Sequence, residues 1–173
     1  MTEHKKVKWG VLGVASIATR KVIPGMQKGA FCEIAAIASR DLKKAEGAAK
    51  ELRIAKAYGS YEELLADKEI EAVYNPLPNH LHVPWTMRAA KAGKHVLCEK
   101  PIALNAPEAE TLLAVRAQTG VKIGEAFMVK TYPQWLRVRE LVREGRIGEL
   151  KSIITIFSYF NRDANNVRHK VEW

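Results

Sequence analysis

Between Val7 and Gly145 the chain alternates strand-like and helix-like segments six times, and this alternation restricts it to a narrow set of architectures. Apolar, strand-forming runs occupy residues 7–12, 32–38, 56–59, 71–75, 94–98 and 122–127. The second run, Cys32-Glu-Ile-Ala-Ala-Ile-Ala38, shows no polar alternation after Glu33, as expected of a strand covered on both faces of a parallel sheet. The run at 56–59 is weak and suits an edge. Pro76 and Pro78 end the fourth strand, and Pro101 follows the fifth. Helical segments are expected over 17–27, with Pro24 interrupting, and over 42–53, where Asp41 is placed to cap. A short helix should open at Ser60, with Glu63 at capping-box spacing. Further helices are expected over 80–92 closed by Gly93, over 105–119 closed by Gly120, and over 132–144 closed by Gly145. Right-handed crossovers then give a doubly wound α/β sheet of order 3-2-1-4-5-6.

After Gly148 the pattern changes. Residues 150–160 are rich in β-branched and aromatic side chains and read as one long strand, and residues 161–173 are polar. A single strand makes no sheet. The expected organisation is therefore a domain over 1–126, followed over 127–173 by a connecting helix and the first strand of a truncated α+β domain.

Composition sets outer limits. With 173 residues, 47% hydrophobic and 27% charged, the chain can bury one core of ordinary size. No stretch approaches the roughly 20 apolar residues of a membrane helix. The start is basic and lacks an apolar signal core, so a cytoplasmic protein is expected. Cys32 and Cys98 lack metal-ligand spacing and read as buried free thiols, with no metal site. The net charge of +9 suggests an anionic ligand, but the cations are spread over Lys43-Lys44, Lys91/Lys94 and Arg137/Arg139/Arg143. These look like solvated helix faces, and no nucleic-acid partner is expected.

The first strand runs into Gly10-Val-Leu-Gly13-Val-Ala15-Ser-Ile-Ala18. Gly13, Ala15 and Ala18 hold the three small positions of the G-x-G-x-x-G/A fingerprint of Rossmann domains, with Ala15 replacing the second glycine. Such a loop brings pyrophosphate onto the free amides of a helix start, here at Ser16 and Ile17. An ordinary βα turn of small residues is the competing reading. At the end of the second strand, Ser39-Arg40-Asp41 bears on the choice of cofactor. Arg40, with Lys44 one turn on, suits the 2′-phosphate of NADP, whereas Asp41 is either a helix cap or a ribose ligand of NAD. NADP is expected, with NAD possible.

Ligands in such sheets lie beyond the carboxyl ends of the strands. The fourth end reads Asn75-Pro76-Leu77-Pro78-Asn79-His80-Leu81-His82. Asn79 is a cap or a ligand, and His82 falls where a cofactor contact is available. Two histidines two apart share no helix face, which argues against a metal. The fifth end reads Glu99-Lys100-Pro101. Lys100 suits the holding of a substrate hydroxyl and the movement of its proton; a surface ion pair is the alternative.

Taken together, Trp9-Gly-Val-Leu-Gly13, Ser39-Arg40, Tyr74-Asn-Pro-Leu-Pro-Asn79-His80-Leu-His82 and Cys98-Glu99-Lys100-Pro101-Ile102 resemble the glucose–fructose oxidoreductase and inositol dehydrogenase (Gfo/Idh/MocA-like) family. The resemblance implies a two-domain NAD(P)-dependent oxidoreductase acting on a sugar or polyol, a homo-oligomer when its second domain is present. It places Lys100 at the nicotinamide and substrate as the catalytic residue. It assigns cofactor contacts to Gly13, Ala15, Ser16, Ile17, Ser39, Arg40, Lys44, Pro76, Leu77, Asn79, His82, Glu99, Lys100 and Pro101. The family's downstream glycine-led motif, with its catalytic Asp and His, finds no match here. A cofactor-binding module without turnover is accordingly the second expectation for this chain.

Overall fold

The computed structural model describes residues 5–160 together with 162 and 163. At its centre β1 (Val7–Leu12) pairs in parallel with both β2 (Cys32–Ala38) and β4 (Ala72–Asn75). The sheet is extended by β3 (Lys56–Tyr58) beyond β2 and by β5 (His95–Cys98) and β6 (Ile123–Glu125) beyond β4. The order is β3-β2-β1-β4-β5-β6, as the alternation predicts. The chain divides into two compact units, Met1–Ala126 and Phe127–Trp173.

The central strands β1, β2 and β4 are buried on both faces over most of their length, which explains their continuous apolar character, whereas the edge strands β3 and β6 are half-buried. Leu12 and Val73 enter one cluster with Ala36, Tyr61, Leu64 and Leu77. Their neighbours Val11 and Tyr74 enter the other, with Ala18, Ile23, Ile37 and Ala49. Gly10 is required by close packing: a Cβ there would stand 2.6 Å from Leu64 Cδ2. A third cluster joins α4 (His82–Lys91) to α5 (Ala106–Thr119) through Val83, Ala90, Leu112 and Val115.

The helix starts follow the sequence at three places. Asp41 caps α2 (Leu42–Leu52) by accepting the Lys44 amide at 3.3 Å. Ser60 caps α3 (Tyr61–Ala66) by accepting the Glu63 amide at 3.1 Å, while the Glu63 carboxylate reaches back to the Gly59 amide. Asn105 caps α5 by accepting the Glu108 amide at 2.9 Å.

Four features depart from the sequence reading. The first helical stretch widens into a π-helical turn (Ala18–Val22) before α1 (Ile23–Gln27), because Pro24 has no N–H to bond back into the preceding turn. Asn79 caps nothing: a 3-10 turn (Asn79–Leu81) precedes α4, and neither start has a side-chain cap. Lys94 is no solvated cation. It is 7% exposed, and its ammonium donates to the carbonyls of Asp67 and Ile70 at 2.7 and 2.8 Å. Burial pushes its titration below the ordinary lysine range, against the pull of nearby Asp67.

The fourth departure lies in the second unit, which holds a 3-10 turn (Met128–Thr131) and α6 (Pro133–Arg143). Residues 150–160 form no strand: they make no ladder, and Ile154, Ile156 and Phe157 are about 90% exposed. A strand exists by pairing, and no described segment pairs with this run. The expected polar tail from 164 onward, and Asn161, lie outside the described residues.

Candidate functional site

The carboxyl ends of β2, β1, β4 and β5 lie side by side, and the turns that leave them carry the residues singled out from the sequence. Gly13, after β1, has φ of +89°, a conformation that side chains other than glycine rarely adopt. Its amide donates to the Ala38 carbonyl at 2.7 Å, fastening the loop to the end of β2. A Cβ on Gly13 would stand 3.0 Å from Leu77 Cδ2 and 3.6 Å from the Tyr61 hydroxyl. Backbone alone therefore forms the floor of the loop. Ala15 packs against the cluster that holds Val11, Ala18 and Ile23, so its methyl has a place in the core. Helix begins at residue 16, with Ser16 and Ile17 exposed. The first amides of a helix have no partner in its own ladder and are available to an anion.

At the end of β2 the Ser39 amide donates to the Tyr58 carbonyl at 3.1 Å, and the Ser39 hydroxyl accepts the Asp41 amide at 3.2 Å. Arg40 and Lys44 are exposed. Arg40 interacts with the Tyr61 hydroxyl; burial pushes the Tyr61 phenol up, and the Arg40 charge partly opposes this. Asp41 caps α2 through Oδ1 and is exposed, so the cap uses one of its two carboxylate oxygens.

The turn after β4 is held from within by Asn75, which is fully buried. Its Nδ2 donates to the His82 carbonyl at 3.1 Å and to Thr86 Oγ1 at 3.2 Å, and its Oδ1 accepts the Leu77 amide at 3.3 Å. Pro76 and Leu77 are buried, and Asn79 is half-buried. His82 differs from expectation. Its ring is 1% exposed, with both nitrogens directed at backbone carbonyls, so it does not reach the surface of the site to touch a cofactor.

At the end of β5, Glu99 is half-buried and Lys100 and Pro101 are exposed, with the Lys100–Pro101 peptide cis. The Glu99 carboxylate accepts the Tyr74 hydroxyl at 2.7 Å and the Lys100 amide at 3.3 Å. Glu125 on β6 accepts the Ile102 amide at 3.0 Å. The sequence reading gave no role to Tyr74, Asn75 or Tyr61. A tyrosine inside a strand buried on both faces requires a partner for its hydroxyl, and an asparagine before Pro-Leu-Pro suits a turn; these were the available signals. Among the described residues no group of three or more His, Cys, Asp or Glu is placed to hold a metal. No helix among them is long and apolar enough to cross a membrane.

This edge, with a glycine loop at the central strand and a helix start behind it, defines a dinucleotide-binding domain of the doubly wound class. Residues 7–127 match the family model described as an oxidoreductase family with NAD-binding Rossmann fold (GFO_IDH_MocA), and the chain belongs to that family. It is 51% identical over 161 residues to an uncharacterised oxidoreductase, ORF334, of Rhizobium meliloti, covering 93% of this chain and 48% of that one. It is 46% identical over 161 residues to a D-xylose 1-dehydrogenase (NADP(+)) of Haloferax volcanii, covering 92% and 49%. A crystal structure of KijD10, a 3-ketoreductase from Actinomadura kijaniata in complex with NADP and TDP-benzene, superposes with a TM-score of 0.76 at 38% identity, covering 82% of this chain and 43% of that one. The chain thus spans about half the length of the curated relatives it matches.

Proposed function

We propose that this chain binds NADP along the carboxyl edge of its sheet. Within a protein of its relatives' full length, it would serve the transfer of hydride between nicotinamide and a carbon of a sugar-class substrate. One observation carries the reading. The strand order sets the Ser39–Arg40 end, the Gly13 loop, the Pro76–Leu77 turn and the Glu99–Lys100 turn in succession along one edge. A dinucleotide lying across them would meet a cation first, then a phosphate cradle, then a lysine.

Each part has a task. The side-chain-free floor at Gly13 and the amides at Ser16 and Ile17 receive the pyrophosphate. Arg40, with Ser39 and Lys44, receives the 2′-phosphate; the exposed guanidinium at this strand end and the relatives named with NADP support NADP over NAD. Pro76, Leu77 and Asn79 shape the wall between the pyrophosphate and the fifth strand end, and Glu99 and Pro101 set the backbone on either side of Lys100. Bound there, the nicotinamide supplies the hydride chemistry. The Lys100 side chain would hydrogen-bond the substrate oxygen, its ammonium giving a proton to that oxygen when hydride reaches the carbon, and its neutral amine taking the hydroxyl proton when hydride leaves. The protein is read as cytoplasmic, free of nucleic acid and a homo-oligomer at full length.

Calorimetric titration of the purified chain with NADPH and NADH tests the reading. NADPH is expected to bind, and Arg40→Ala to weaken NADPH much more than NADH; equal losses would overturn the NADP assignment. A second reading, binding without turnover by this chain, is favoured by its coverage of only half of each relative. Sugar-dependent loss or gain of reduced-nicotinamide absorbance by the purified chain would overturn that second reading.

A further inference from the structure

His82 is the first residue of α4, and its ring is enclosed. Nδ1 lies 2.6 Å from the Pro101 carbonyl oxygen, and Nε2 lies 2.7 Å from the Leu77 carbonyl oxygen. Carbonyl oxygens only accept, and a neutral imidazole has one N–H to give. In either neutral tautomer, one of these contacts would press two lone pairs together where no water screens them. The imidazolium, with a proton on each nitrogen, satisfies both.

The two carbonyls belong to different turns. Leu77 lies in the turn after β4 and touches the position a Gly13 side chain would take. Pro101 follows Lys100 in the turn after β5. The rest of His82 is fixed as well, since its own carbonyl accepts from Asn75, which also holds Leu77 and Thr86. We propose that His82 is a positioning residue, held as an imidazolium, that clamps the turn after β4 to the turn after β5, so that the pyrophosphate loop and Lys100 keep one spacing.

The carbonyl contacts carry the assignment, and ionisable groups of both signs stand on the elements packed around the ring. Glu99 lies before the clamped turn, and Glu125 of β6 accepts the Ile102 amide just beyond it. Lys100 opposes them, and the Cys98 thiol is neutral. On the helix side, His80 sits in the preceding turn, and Arg88 is paired with Glu62 at 3.0 Å. The proposal rests on the dinucleotide reading only for its effect on cofactor binding.

Nitrogen NMR of the whole chain, labelled at histidine, tests the protonation directly, with His82→Gln assigning the signal by its loss. Protons on both ring nitrogens at neutral pH are expected; one bare ring nitrogen overturns the proposal. His82→Gln should raise amide exchange in the segments 77–79 and 100–102 together and weaken NADPH by about tenfold, the size of one lost charge-assisted hydrogen bond. Unchanged exchange in either segment also overturns it. If that variant does not fold, the unsubstituted chain still decides. Raising the pH until the ring loses a proton must move amide signals of both turns with one midpoint, and separate midpoints overturn the clamp. Failure of NADPH to bind the unsubstituted chain would instead sink the functional reading and leave the protonation result to stand on its own.

Discussion

The hydroxyl of Tyr74 donates to the Glu99 carboxylate across 2.7 Å, tying the buried interior of the sheet to the turn that carries Lys100. The Tyr74 side chain is fully buried, packed in the cluster with Val11, Ile37 and Ala18. Burial and the adjacent carboxylate hold its phenol far above the ordinary tyrosine range, so it remains a donor throughout the working pH range. The second Glu99 oxygen accepts the Lys100 amide, and Glu125 accepts the amide of Ile102. Two carboxylates therefore grip the backbone on either side of Lys100 and Pro101. The lysine's position is set by strand packing beneath it, and its own side chain is left to the solvent face.

Tyr74→Phe removes the donor and keeps the ring. The variant is expected to fold with its core intact and to lose about 1–2 kcal/mol, the usual worth of a hydrogen bond to a charged group with a partly exposed partner. Urea denaturation of the two proteins checks the loss. Amide exchange at Lys100 should rise with it; a Tyr74→Phe chain as stable as the original would show that the bond holds nothing.

Sequence made the sheet legible because each buried strand is a local apolar run bounded by Gly, Pro or a cap, and these signals need no knowledge of distant residues. The Gly13 loop was marked by its small residues and its place after the first strand, whereas local pattern left Glu99-Lys100-Pro101 open between a surface ion pair and a functional turn, and only the family resemblance singled it out. What sequence hid depends on pairing between residues far apart. Lys94 resembles any surface lysine until the carbonyls of Asp67 and Ile70 are brought to it. His82 resembles a ligand until the Leu77 and Pro101 carbonyls close on its ring. Residues 150–160 have every local mark of a strand and form none, since a ladder needs a second segment that local pattern does not supply.

Gly13→Val should disable the cofactor site more than the fold. The residue sits at a φ of +89°, and its new side chain would press on Leu77. Strain of this kind costs about 1–3 kcal/mol in stability. The branched side chain would also enter the space that the proposed reading gives to the pyrophosphate. NADPH affinity measured by calorimetry is expected to fall by at least about tenfold, while thermal unfolding remains cooperative at a lower midpoint.

Acid should destabilise the chain through Asp67. Its carboxylate accepts from the Lys56 ammonium at 2.9 Å and the Tyr58 hydroxyl at 2.8 Å, and these partners, Lys56 first, lower its pKa from 3.8 to about 2. The folded pKa lies below the unfolded one, so this contribution is fully present above the unfolded value. It is lost as pH falls through the interval between 3.8 and about 2, where the unfolded chain takes up the proton first. Lys56 is 36% exposed, and solvent screening reduces the expected loss to on the order of 1 kcal/mol. Thermal melts across this interval should show a steeper fall for the original chain than for Asp67→Asn; parallel curves would assign the acid sensitivity to other carboxylates.

The two thiols should separate by access. Cys98 is fully buried on β5, and burial pushes its thiol up to about 12, so almost no thiolate exists at about pH 8, and the alkylating reagent has no path to it. Cys32, expected from its apolar run to be buried like Cys98, is instead half-buried at the start of β2, its thiol donating to the Met26 carbonyl at 3.0 Å. Alkylation of the native chain followed by peptide mass mapping is expected to label Cys32 first. Cys98 should be labelled only at the rate of global opening and completely in denaturant. Equal labelling rates in the native chain would mean that the fifth strand opens on its own, and with it the turn that positions Lys100.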